Sequence, residues 1–250
     1  MEKNAIYSLI ISSFAGLSTL LGGLIVYFKI KDKDKFITFA LSFSLSVMIS
    51  LSVFELLPEG FITLSNKYGL LIGLLISLLL FLLGKFLVTK TSKKLALLQN
   101  KGNLYRVGVL SMVALALHNF PEGIATFMAS FNDLSSGISL GIAIMLHNIP
   151  EGISISVPIY YATGNKKRGV LYSFISGLAE PVGALLAYIC LKNFINDALV
   201  AMVLIIVAGI MITLSIDEML PEVNSYNKKI ESYIGLISGL ILVIINLILF

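Results

Sequence analysis

Charged residues are scarce in this 250-residue chain: Asp, Glu, Lys and Arg make up 13% of it, about half the share of a typical soluble domain. Tryptophan is absent, and the one cysteine, Cys190, excludes both an internal disulfide and a thiolate cluster. The phosphate-binding motif GxxxxGK[ST] is also missing, so nothing in the sequence suggests ATP hydrolysis. The deficit of charged residues is the first indication of a membrane protein.

Apolar residues, by contrast, make up 57% of the chain. They form runs near the length of about 20 residues that crosses a bilayer, and the runs 70–83, 199–214 and 234–250 contain no charge. We therefore predict an all-α fold: one transmembrane domain over residues 1–250, a polytopic bundle of eight helices. The predicted spans are about 5–28, 36–57, 69–89, 107–130, 137–161, 170–191, 197–219 and 234–250.

The basic residues indicate how these spans are oriented. When alternate loops are assigned to two sides, all but three of the 18 Lys and Arg residues fall on one side; the exceptions are Lys3, Lys67 and Lys192. Basic residues near span ends stay cytoplasmic, so we expect a multi-pass protein of the cell membrane with both termini outside the cytoplasm. The long connection at about 90–106 becomes a cytoplasmic loop. The net charge of +4 is thus explained by topology, and we predict no nucleic-acid partner.

Two apolar spans contain the same phrase, HNFPEG at 118–123 and HNIPEG at 147–152. His118 and Glu122 are four residues apart, as are His147 and Glu151, so each pair shares a helix face. The two helices are antiparallel across a short loop, which places both pairs near the same depth in the bilayer. Two imidazoles and two carboxylates can form a four-ligand site suited to zinc, and also to iron or manganese. The alternative to metal binding is structural: the histidines would form hydrogen bonds between helices, and the glutamates would be protonated and hydrogen-bonded.

The remaining residues of the phrase extend this site. Proline at the fourth position of each phrase removes a helix hydrogen bond and bends the helix. Asn119 and Asn148 could serve a neighbouring ion position, with the two glutamates bridging two metals. Glu180, in the similar phrase GLAEPVGA of the sixth span, would complete that second position. Buried carboxylates in lipid are costly unless they are neutralised, and a bound cation would do so.

A second repeat closes the second and seventh spans, VFELLPEG at 53–60 and IDEMLPEV at 216–223. Since these spans run in opposite directions, we predict two inverted halves around a central pair, a 3+2+3 arrangement typical of transporters. The alternative is that each phrase merely ends a helix at proline. Candidate residues of a metal path are Met48, Glu55, Asp217 and Glu218, although Met48 also suits core packing.

These motifs resemble those of the ZIP (Zrt/Irt-like) metal transporters, and most closely the bacterial ZupT-like branch of zinc transporters. The resemblance covers nearly the whole chain. It implies uptake of divalent metals into the cytoplasm, chiefly zinc and also iron, manganese, cobalt and cadmium. It further implies a binuclear site at mid-membrane, alternating access by movement of a helix bundle, and a homodimer. Carried over, His118, Glu122, His147 and Glu151 match one metal position, and Asn119, Asn148 and Glu180 with the bridging glutamates match the other.

Two rival functions remain to be weighed. An intramembrane di-metal enzyme would favour Glu-x-x-His motifs on paired helices, whereas here histidine comes first and proline intervenes. A receptor-like membrane protein could hold a fixed metal. We expect a transporter, not an enzyme, whose partners are divalent metal ions and the lipid bilayer.

Overall fold

The computed structural model describes residues 2–29, 31–99 and 104–249. Within these ranges, the side chains at 2, 3, 33, 91–99, 104–108, 110, 111, 114, 118 and 218 lie outside the description. All regular structure in the described residues is helical, which confirms the predicted all-α fold.

Eleven α-helices are numbered in chain order. The first six are α1 (Glu2–Gly23), α2 (Lys33–Leu51), α3 (Leu57–Tyr68), α4 (Leu70–Gln99), α5 (Leu104–Asn132) and α6 (Leu134–Thr163). The others are α7 (Lys166–Gly177), α8 (Ala179–Leu191), α9 (Asp197–Leu214), α10 (Leu220–Ser225) and α11 (Lys229–Leu249). A 3-10 turn, Leu24–Tyr27, extends α1.

Short polar residues begin several of these helices. Asp32, Asp133, Asn165 and Asn196 each accept a hydrogen bond from a backbone N–H of the first turn, the usual way of satisfying a helix start. The hydroxyl and backbone N–H of Ser136 lower the pKa of the Asp133 carboxyl below its usual value. The chain therefore reverses direction between α5 and α6 within one residue.

Seven helical segments of the described chain are long and apolar enough to cross a membrane. α5 is not among the seven, although it is 29 residues long, so the count of eight stays a prediction. Only 11% of the apolar window in α4 and 22% of that in α11 is buried inside the protein. Exposed apolar faces of this kind are expected where helices meet lipid.

Two helices extend beyond the predicted spans. α3 continues the second segment to Tyr68, and α4 continues to Gln99, so much of the predicted loop at 90–106 lies on a helix; residues 100–103 are outside the described part. A helix can continue past the bilayer surface because its backbone hydrogen bonds do not depend on lipid. Helix ends therefore do not fix span ends.

The helices pack as two bundles. The site bundle contains α1, α5, α6, α7 and α8, in which α1 packs on α6 and α5 packs on both α6 and α8. The support bundle contains α2, α3, α4, α9, α10 and α11, in which α2 packs on α11 and α4 packs on α9. The two bundles meet mainly where α2 crosses α6 and α5 crosses α9. Buried apolar side chains such as Met48, Phe127, Ile144, Leu204 and Met211 fill this junction.

Both repeated phrases of the support bundle adopt the same backbone. Ser52–Leu56 forms a π-helical turn between α2 and α3, and Ser215–Met219 forms another between α9 and α10. In each case the next helix has proline in its first turn. Neither phrase simply ends a helix, because the chain continues helically past the proline. π-Turns within α-helices frequently occur at functional sites.

Candidate metal centre

The site bundle gathers the predicted polar residues into its interior. Asn119, Glu122, His147, Asn148 and Glu180 have no exposed surface, and Glu151 is 1% exposed. They come from α5, α6 and α8. The apolar stretches that contain them, 109–130, 137–161 and 170–191, have no Lys or Arg. Six polar side chains, three of them carboxylic acids, are thus shut away from both lipid and water.

The two HNxPEG phrases meet through their ionisable side chains. Nε2 of His147 lies 3.4 Å from Oε1 of Glu122. Residues from two helices can approach this closely because the α5–α6 reversal at Asp133 places them at the same depth. The structure thereby brings together two members of the first predicted metal position.

Asn148 links three helices at the second predicted position. Its Nδ2 donates to the backbone oxygen of Ala15 on α1 at 2.9 Å, and also to Oε1 of Glu180 on α8. The second carboxylate oxygen of Glu180 and the amide oxygen of Asn148 have no hydrogen-bond partner among the described residues. Both oxygens remain available as hard ligands for a divalent cation.

Asn119 is a buried amide whose polar atoms are both unsatisfied within the described residues. Neither its amide nitrogen nor its amide oxygen has a hydrogen-bond partner in the described part of the chain, and it is fully buried. Nδ1 of His147 is likewise without a partner among the described groups. Buried polar atoms normally find partners, so these orphaned atoms fit a site built for a polar guest.

Glycines in the phrases bring the backbones close together. A Cβ on Gly123 would collide with the backbone of Glu180, and one on Gly152 would collide with the backbone oxygen of Thr19. Any larger residue would push α8 or α1 away from the site. The glycine that follows each glutamate therefore sets the spacing between the helices that carry the polar groups.

Some predicted residues are placed only in part. The side chains of His118 and Glu218 lie outside the described part, although the backbone of His118 is one helical turn before Glu122 on α5. Among the described side chains, no three His, Cys, Asp or Glu residues are close enough to hold a metal ion. The four-ligand centre that includes His118 therefore stays a prediction.

The candidate path residues lie on the support bundle. Met48 is 1% exposed, and its sulfur is 4.0 Å from Oγ of Ser44, which in turn donates to the backbone oxygen of His147 at 3.3 Å. Glu55, in the first π-turn, is half-buried and accepts a hydrogen bond from Ser139. Asp217, in the second π-turn, is exposed. The support bundle thus touches the site helix α6 near His147.

Sequence reasoning missed several polar contributors. Ser44, Ser139 and Asn246 were not singled out, yet all three are buried and hydrogen-bonded across helices. For Asn246 there was a signal, since it is the only polar side chain from 239 to 249. The serines had none, because serine is common in membrane helices and often bonds within its own helix.

Taken together, the fold and site define a polytopic helical membrane protein with an acidic and imidazole-containing centre buried in its bundle. Comparison with known proteins identifies the group. The family model described as ZIP zinc transporter matches residues 90–247. The chain is 39% identical to the zinc transporter ZupT of Chlorobium chlorochromatii, with 100% of both chains covered. It is 37% identical to that of Clostridium perfringens, over 99% of this chain and 97% of the other, and 38% identical to that of Lysinibacillus sphaericus, over 100% and 99%.

The chain belongs to the ZIP family. Its matches span the full length of these relatives, so the predicted resemblance is confirmed. A member of this family is a transporter and not an enzyme, and the di-metal enzyme alternative is not favoured.

Proposed function

We propose that this protein takes up zinc across the cytoplasmic membrane by alternating access through the buried centre of the site bundle. The observation that carries the proposal is the set of three carboxylic acids, Glu122, Glu151 and Glu180, each at most 1% exposed and each in an apolar stretch without Lys or Arg. The relatives named zinc transporter ZupT support zinc as the substrate.

The negative charge of the buried carboxylates is the physical reason why the centre would bind a divalent cation. A charged side chain in mid-membrane costs at least about 2.5–3.5 kcal/mol, and three carboxylates in one cluster also repel one another. A divalent cation offsets both costs when it binds. The amide of Asn148 holds one oxygen of Glu180 while leaving the other oxygen for the metal.

Two positions are proposed within the centre. His118, Glu122, His147 and Glu151 would form the first, and Asn119, Asn148 and Glu180 with the bridging glutamates would form the second. The contact between His147 and Glu122 supports the first position. The link between Asn148 and Glu180, together with the unsatisfied amide of Asn119, supports the second. The same ligand chemistry extends the proposal to iron, manganese, cobalt and cadmium.

The division into two bundles supports alternating access. The closest backbone approaches at described glycines lie within a bundle: Gly22 and Gly152 join α1 to α6, and Gly84 and Gly209 join α4 to α9. Backbone contacts of this kind make each bundle rigid. Side chains dominate the junction between bundles, and such surfaces can slide without breaking backbone packing. We infer that the site bundle moves against the support bundle.

The loops rich in Lys and Arg determine the proposed orientation of the protein in the membrane. The end of the molecule that carries Asp133 and Asp197 would face outside, and the end that carries Lys35, Lys166 and Lys228 would face the cytoplasm. Glu55 then lies toward the outer end, and Asp217 and Glu218 toward the inner end. A homodimer, implied by the family, is a further expectation that mass measurement in detergent micelles would test.

Uptake of radioactive zinc into proteoliposomes tests the proposal. The parent should accumulate label, and a double variant, His147→Ala with Glu151→Ala, should not, because it loses an imidazole and a carboxylate from the centre. A matched control, Asn224→Ala with Glu231→Ala, removes an exposed amide and a partly exposed carboxylate and should behave like the parent. Equal uptake by the parent and the site variant, both shown to be folded, would refute the assignment.

A further inference from the structure

Asn246 is a buried amide on α11, between apolar neighbours that are exposed. It is 6% exposed, whereas its neighbours Ile245, Leu247 and Ile248 are 49%, 38% and 77% exposed. Nδ2 of Asn246 donates to Ser139, to its backbone oxygen at 3.3 Å and to its hydroxyl oxygen at 2.9 Å. This side chain therefore bonds α11 to α6.

The hydroxyl of Ser139 is also hydrogen-bonded to Glu55, so it connects Asn246 to that carboxyl group. A serine hydroxyl has one proton and two acceptor positions. Because Oγ of Ser139 accepts from Asn246, its own proton is directed elsewhere, and it donates to Oε1 of Glu55 at 3.4 Å. Asn246 is thus a positioning residue that acts on Glu55 through Ser139.

This chain of bonds joins the two bundles. Ser139 belongs to the site bundle, and it precedes His147 on α6 by eight residues, about two helical turns, toward the Asp133 end. Asn246 and Glu55 belong to the support bundle. Ser139 is therefore held between two elements of the other bundle, and sliding of one bundle on the other must break the bonds.

We propose that Asn246, Ser139 and Glu55 form an outer latch, which holds the bundles together at the outer end and closes the path from outside to the metal centre. The inference rests on the proposed alternating access. Opening the latch breaks the hydrogen bonds that Asn246 makes in the closed state. A substitution that removes these bonds destabilises the closed state and so favours the open one. Bonds between helices in a membrane change such an equilibrium by about 3-fold to 30-fold.

Thiol labelling from the outer side tests the latch. Met48 is buried and lies two helical turns from Glu55, toward His147, so a cysteine at this position reports on an open outer path. In a Cys190→Ser, Met48→Cys background, a cationic, membrane-impermeant methanethiosulfonate is added to the outside of intact cells. Asn246→Leu should raise the labelling rate about 3-fold to 30-fold, and Ser139→Ala should do the same.

Further variants separate the latch from a general loosening of the fold. The double variant Asn246→Leu, Ser139→Ala should match each single variant, since both remove the same chain of bonds. Ser139→Thr keeps the hydroxyl and should restore the parent rate. Ser238→Ala, at a partly exposed serine that bonds within α11, should leave the rate unchanged.

Two outcomes would overturn the latch: an unchanged labelling rate in folded Asn246→Leu and Ser139→Ala proteins, or additive increases in the double variant. Zinc uptake by the parent, here the protein without the cysteine substitutions, is measured in parallel cells and tests the proposed function separately. An active parent with unchanged labelling in the variants would refute the latch alone. An inactive parent with increased labelling would refute zinc transport and leave the latch supported.

Discussion

Replacing Asn148 with leucine should lower the stability of the fold and reduce the stabilisation that zinc provides. Leucine is similar in shape to asparagine but removes the donor that binds Ala15 and Glu180. A hydrogen bond between membrane helices contributes about 0.6 kcal/mol on average and about 1.7 kcal/mol at most. The loss of two such bonds should therefore lower the free energy of unfolding by about 1–3 kcal/mol.

Thermal unfolding of the purified protein in detergent measures this effect. For a chain of this size 1 kcal/mol corresponds to about 2–4 °C, so the Tm of Asn148→Leu without metal should fall by about 2–10 °C. The control Ser173→Ala loses one bond in the same bundle, to the backbone oxygen of Gly152, and no contact with a site carboxylate. Its Tm should fall by about 2 °C.

Measuring Tm with and without zinc distinguishes a loss of fold stability from a loss of zinc binding. A ligand at 100 times its Kd stabilises the folded state by about 2.7 kcal/mol, so zinc should raise the Tm of the parent and of Ser173→Ala alike. Asn148→Leu should show a smaller rise, because the amide oxygen is lost and Glu180 is no longer held. A zinc-dependent rise equal to that of the parent would refute the role given to Asn148.

Three further predictions concern the ends of the helices. Asp133→Ala should lower the free energy of unfolding by about 0.5–2 kcal/mol at neutral pH; since the pKa of this carboxyl is lowered by folding, its contribution is fully present above about pH 4 and disappears as pH falls further. Equal denaturation midpoints of parent and variant at pH 7 would contradict this role. Gly164→Ala should lower the free energy of unfolding by about 1 kcal/mol, because Gly164 follows the end of α6 at φ 66°. Ala162→Gly, a change that adds no strain in the left-handed region, is compared with it in the same thermal melt. Glu231→Gln should leave zinc uptake unchanged, because its ion pair with Lys35 is at the surface; a large loss of uptake would show that α2 and α11 are coupled to transport.

Much of the architecture follows from local sequence. Runs of about 20 apolar residues must form helices in lipid, because each backbone polar group needs a partner within its own segment. The HNxPEG phrases predicted which residues share a helix face, since a spacing of four residues is nearly one turn. Their common depth followed from the reversal at Asp133, which the structure shows to be a single residue between α5 and α6.

Contacts between distant segments were beyond such reasoning. Helical periodicity says which residues share a face and not which helix that face meets. The sequence assigned Asn148 and Glu180 to one metal position, but it predicted neither the hydrogen bond between them nor the bond from Asn148 to the backbone of Ala15 on α1, 133 residues away. The predicted pairs of ligands came from the motifs, but these partners came from the fold.

The sequence by itself determined that buried acids and imidazoles lie in neighbouring membrane helices, because their spacing within each helix is fixed by the backbone. Only the tertiary structure decided that Glu55 accepts a hydrogen bond from Ser139 of α6, and that Asn246 of α11 points inward and donates to the same serine. Such choices depend on how whole helices pack, where small residues allow close approach and buried polar groups must find partners.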